Sequence, residues 1–209
     1  MTHDSTPELL ALHGVRILGG PSADAIAERF GLAVADVREH LLDAQAYGWV
    51  TRHEFFGETW SLTERGRVEN ERQLAVELDA IGARPVVERV HAAFLPLNAR
   101  HGRACTDWQL RSAAGERLPN DHTDPVWDDR VLAELESVDG QAQQLGEVLA
   151  DVLSRFGGQL PRHTAALALA RAGRTEWIDA PDRASCQLLW IQFHEDLLAT
   201  LGIPRGTDG

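Results

Sequence analysis

Residues 22–66 read SADAIAERFGLAVADVREHLLDAQAYGWVTRHEFFGETWSLTERG, and the order of signals within them decides the fold. Ser22 can cap a helix through its hydroxyl, and Gly31 can take the positive φ of a tight turn. Val34, Val37, Leu41 and Ala44 then recur at helical spacing, which gives a second helix one core-facing stripe. Gly48 stops that helix. Residues 49–53 and 59–62 are rich in β-branched and aromatic side chains and predict two short strands, with Phe56, Gly57 and Glu58 at the tip between them. Neighbours on a strand alternate faces, so one of Phe55 and Phe56 is expected inward with Trp60 and the other outward. Thr63 caps the next helix, whose body is ERGRVENERQLAVELDA.

Helix, glycine turn, helix and hairpin in that order form a winged helix-turn-helix. Residues 8–79 resemble the winged-helix domains of bacterial transcription regulators of the MarR, PadR and GntR kind, above all in AIAERFGL, YGWV and WSLTERGR. The resemblance implies that the helix over residues 34–47 enters a major groove of double-stranded DNA while the hairpin tip touches backbone. Arg38, His40, Arg52, Arg65 and Arg67 are then the DNA-binding candidates, on what would be one face of a homodimer.

Charge runs against that implication. The same helix carries Asp36, Glu39 and Asp43 beside Arg38 and His40, and residues 1–80 hold seven arginines against twice as many carboxylates. Neutralising phosphates and releasing counterions supplies most of the affinity of a DNA reader, and the whole chain has a net charge of -12. The alternative is a winged helix that binds no DNA and serves as a protein-interaction or accessory module.

With 209 residues, 44% of them hydrophobic, the chain can bury one or two cores. No apolar run is long enough to span a bilayer, and MTHDSTPELL has none of the features of a secretory leader, so a soluble, cytoplasmic protein is expected. Cys105 and Cys186 suggest neither a disulfide scaffold nor a zinc knuckle, and two reduced, partly buried thiols are expected. All bases are arginine, dispersed along the chain, a pattern of GC-rich coding more than of phosphate recognition.

Beyond Asp79 the pattern is helical with no sign of strands. Helices are predicted over residues 85–100, 125–138, 141–156, 159–172 and 182–201, the second capped by Asp124 with Pro125 at its first position. The expected fold is therefore mainly α: a winged helix-turn-helix with a small β-hairpin wing in residues 1–80, then an all-helical effector or dimerisation domain in residues 81–209.

Polar residues punctuate the second half. DWQLR (107–111), NDHTD (120–124) and the terminal HEDLLATLG (194–202) resemble a helical region of actinobacterial phosphoenolpyruvate-utilising proteins. No stretch here corresponds to their swivelling phosphohistidine domain, so the resemblance carries over no phosphotransfer chemistry and no residue role. By chemistry alone, Trp108, Arg111, His122, Trp127 and His194 could build a small-molecule site: Arg111 clamping a carboxylate, the tryptophans walling an aromatic or acyl group, a histidine orienting it. Each has a plainer reading beside it: Trp108 and Trp127 as packing, Asp124 as a cap, His194 at the edge of an apolar stripe.

For a metal, His122, Asp124, His163 and His194 are the available donors, but no pair has ligand spacing on one helix and HEDLL lacks the second histidine of a zinc helix. No phosphate loop or nucleophile elbow is present, so neither a metal, a cofactor nor an enzymatic activity is expected. The sequence reads best as a DNA-binding regulator that senses an unidentified small molecule.

Overall fold

The structure is a computed structural model that describes residues 2–55, 57–113, 116–204 and 206. The chain is mainly helical. Thr6 caps α1 (Pro7–Leu18), and Ser22 caps α2 (Ala23–Phe30) by accepting the Ala25 N–H at 3.2 Å. Gly31, at φ +68°, turns the chain into α3 (Val34–Ala46). Strands β1 (Val50–His53) and β2 (Thr59–Leu62) pair antiparallel with Val50 opposite Leu62. α4 (Glu64–Ala80) follows, capped by Thr63. The expected elements of residues 22–80 are thus all present, with β1 starting one residue later than the pattern suggests.

These elements share a core of Ile26, Val37, Leu41 and Trp60, all fully buried. The Trp60 N–H donates to Pro21 O at 2.9 Å, tying the hairpin to the loop between α1 and α2. Gly66 is required by close approach: a Cβ there would lie 1.9 Å from the Trp49 carbonyl oxygen, where the hairpin enters against the first turn of α4. Phe55 is 95% exposed, so it is not the inward aromatic of the tip; Phe56 lies outside the described residues.

The second half departs from expectation in three ways. α5 runs over Arg84–Gln109 and α6 over Pro125–Ala150, so the predicted break near Gly140 is a continuous helix and five segments become four. Between them β3 (Leu110–Ala113) and β4 (Glu116–Pro119) form a second antiparallel hairpin, which corrects the all-helical reading. Its exposed β4 has no apolar alternation to betray it. α7 (Gln159–Arg171) matches, whereas α8 begins at Cys186, capped by Ser185, and ends at Leu201.

α5, α6, α7 and α8 pack around two apolar clusters, one centred on Phe94, Trp190 and Phe193 and the other on Trp108, Leu135 and Leu189. A further cluster of Leu9, Leu10, Leu74 and Ala199 joins α1 and α4 to α8, so the halves meet over a packed surface. Among the described residues no helix is long and apolar enough to cross a membrane.

Candidate functional site

α3 stands at the surface with the hairpin beside it. Its inward Val37, Leu41 and Ala44 hold it to the core, while Asp36, Arg38, Glu39 and Asp43 are exposed. Arg38 and Arg52 meet at Glu58: the first lies 3.6 Å from its carboxylate and the second 3.1 Å, with Glu54 also 3.0 Å from Arg52. Arg65 has no carboxylate partner among the described residues. Arg67 is drawn elsewhere, pairing with Glu64 and with Glu71, which also binds Arg16 of α1. His40 is half-buried, and the carboxyl of Glu8 in α1 is held below its ordinary value first by its own backbone N–H and the Thr6 hydroxyl and, in smaller part, by the charge of His40. Of the five candidates, Arg38 and Arg52 share one spot.

Leu42, Tyr47 and Phe55 add exposed apolar area to this region, and Tyr47 stacks on Trp49 at 4.7 Å. Exposed arginine–carboxylate pairs are each worth about 0–1 kcal/mol, so the pairing does little for stability. It does cancel the positive field that would attract phosphates.

In the second half, Trp108, His122 and Trp127 do come together. Trp108 is buried and His122, at φ +57°, lays its ring against it at 4.4 Å. Asn120 donates to Trp108 O and to Asp128 (both 2.9 Å), and Asp128 also pairs with His122 Nδ1 at 3.0 Å. The Trp127 indole N–H donates to Asp107 O at 2.7 Å, and Arg130 lies over its ring at 4.1 Å. Asp124 is a cap, accepting the Val126 and Trp127 N–H groups. Among the described residues Arg111 pairs with Asp121 alone, at 3.9 Å. His194 is remote from this group; its ring is tilted against Phe94 (5.2 Å) and lines a separate cavity of ≈ 240 Å³ with Asn98 and Trp190.

Two buried networks involve residues that sequence reading passed over. Where α1, α4 and α8 meet, His13 pairs with Asp196 (2.9 Å) and with Asn70 (3.3 Å), and Arg16 donates to Glu195 (2.7 Å). Arg155, in the short 3-10 turn before α7, reaches Glu77, Ser5 and Thr200. Burial pushes the Asp196 carboxyl up, but His13, Arg155 and Arg29 outweigh it and hold the group at about 2. The adjacent acids of HEDLL inside an apolar helix were the available signal, since buried carboxylates require partners. The second network, Asp139–His163–His101–Cys105, crosses the bundle; its signal was His101 and Cys105 one helical turn apart. His122, Asp124, His163 and His194 are not gathered, and the described residues contain no group of three or more donors able to hold a metal ion.

No protein-family model matches this chain, and neither does any curated protein or solved structure.

Proposed function

We propose that residues 1–80 form a winged helix-turn-helix and that the protein is a DNA-binding transcription regulator, acting as a homodimer, whose helical part senses a small molecule. The observation that carries this reading is an exposed α3, backed by α1 and α2 and flanked by the β1–β2 hairpin. The acidic surface has a physical consequence under this reading. Non-specific binding rests on phosphate neutralisation and is therefore weak, so affinity depends on a few groove contacts from Arg38, Arg52 and Arg65.

Gel shifts on selected genomic fragments test it. Arg38→Ala is expected to cost about 1–3 kcal/mol if the arginine reads a guanine, and to relax preference at one base pair. Unchanged binding in the combined Arg38→Ala, Arg52→Ala, Arg65→Ala variant would remove the proposed DNA face.

A second reading, a protein-interaction or accessory module without DNA affinity, is favoured by the pairing of Arg38 and Arg52 with Glu54 and Glu58 and by the exposed Leu42, Tyr47 and Phe55. Absence of binding to any fragment, with the fold intact, would select it.

A further inference from the structure

Where α2 ends against the start of α7, the charge gathered is positive. Arg29, in the last turn of α2, is only 8% exposed, yet no carboxylate lies within ion-pair distance of it among the described residues. Its Nη2 donates to the Arg155 carbonyl oxygen at 3.1 Å, and its guanidinium stands over the Phe30 ring at 4.9 Å. Nε has no hydrogen-bond partner among the described residues, and Nη1 has none either. A buried guanidinium with no counter-charge beside it is costly, and an anion would relieve that cost.

Nη1 is aimed at the start of α7. A Cβ on Gly158, the exposed N-cap residue of that helix, would lie 3.6 Å from it, in ordinary contact. Gly158 has no side chain with which to cap the helix, and among the described residues nothing accepts from the N–H groups of Gly158, Gln159 or Leu160. Those donors are unused at the positive end of a 13-residue helix.

A third positive element stands beside them. Arg162, one turn into α7, is half-buried and has no ion pair among the described residues, and the first turn holds no acid, although an acid there would suit the dipole and a cation opposes it. Burial pushes the Arg29 guanidinium below its ordinary value; Asp196, beyond ion-pair distance, works against that, while Arg162 and Arg155 add to the lowering. Arg155 is answered by Glu77, Ser5 and Thr200, whereas Arg29 and Arg162 have no carboxylate of their own.

We propose that Arg29, Arg162 and the first N–H groups of α7 form a binding site for a small tetrahedral oxyanion, either a phosphate ion or the phosphoryl group of a small ester. A carboxylate brings two oxygens and one negative charge. A phosphoryl group brings three oxygens and a charge of about −1.5 to −2, which matches two guanidinium groups and a helix N-terminus together. The bound anion would fasten α2, in the first half of the chain, to α7 in the second. Its occupancy does not depend on DNA binding, so this site and the proposed DNA face stand or fall separately.

Inorganic phosphate is the first probe and glycerol phosphate the second. Full-length protein in phosphate-free buffer is titrated with each at constant ionic strength while its melting temperature is followed, with chloride as the control for screening. A saturable rise with phosphate and none with chloride is expected. Arg29→Gln and Arg162→Gln should each weaken the apparent affinity at least about tenfold, since each removes hydrogen bonds from a charged donor. Should Arg29→Gln unfold, Arg162→Gln, at a half-buried position with no ion pair to lose, carries the test. Tighter binding of glycerol phosphate than of inorganic phosphate would identify an organic phosphate as the occupant, and the reverse order the free ion. No saturable rise with either probe, an equal rise with chloride, or an affinity that either folded variant leaves unchanged would overturn the proposal.

Discussion

Asp196 is 1% exposed and has three cationic or potentially cationic neighbours, His13, Arg155 and Arg29, none adjacent in sequence. Removing one partner of a buried pair leaves the other uncompensated, so Asp196→Asn should lower stability by about 3–5 kcal/mol in a denaturant titration. A loss under about 1 kcal/mol would contradict the network. Its acid response follows from sign: a carboxyl held at about 2 in the fold, against about 3.9 unfolded, contributes stability above pH ~4 that is lost as pH falls towards 2. His101 acts in a different window. Burial, with His163 adding to it, holds its pKa well below 6.5, so only the unfolded chain takes up that proton just below 6.5. Stability should be full above pH ~6.5 and fall by up to about 1.4 kcal/mol per unit below it; a pH series in which His101→Gln leaves that slope unchanged would exclude His101 as the cause. Neither residue was legible as a network member in the sequence. His13 looks like one polar residue inside α1, and its partner is 183 positions away.

Within elements, the hairpin was legible because it carries alternating, β-branched and aromatic residues between turn signals. Trp60 is fully buried and Phe55 almost wholly exposed. Trp60→Ala should therefore cost about 3–5 kcal/mol while Phe55→Ala stays within about 0.5 kcal/mol, and comparable losses in urea unfolding would refute the hairpin's orientation. The β3–β4 hairpin was not legible, because LRSA and ERLP lack the period-two apolar pattern. The gap expected between residues 138 and 141 is not there either: α6 passes through Gly140, and a mid-helix glycine costs only about 1 kcal/mol relative to alanine. Local signals end where the surrounding helix–helix packing overrides them. Of the candidate sites, the cluster of Trp108, His122 and Trp127 was visible as composition, but the displacement of Arg111 and His194 from it was not, since both depend on tertiary placement.

Over the whole molecule, α1 and α4 join the first half to α8. α1 carries the Trp60 core on one side through Ala11, Leu12 and Val15, and both helices face α8 through Leu9, Leu10 and Leu74, with His13, Asn70 and Glu77 buried at the same junction. A fragment of residues 1–80 would expose that apolar patch and leave those polar groups without Asp196 and Arg155. It should melt well below the full chain, and an equal melting temperature would contradict the coupling. The same junction connects any event in the helical bundle to α3, because α8 touches α1, and α1 packs on α3. A regulator needs such a connection, and under the proposed function this one ends at DNA. Chromatin-style capture of the tagged protein across its own genome, followed by sequencing, tests that most directly. Discrete enriched sites sharing one motif are expected, lost in the Arg38→Ala, Arg52→Ala, Arg65→Ala variant; no enrichment, or enrichment that the variant leaves intact, would rule out the proposed function.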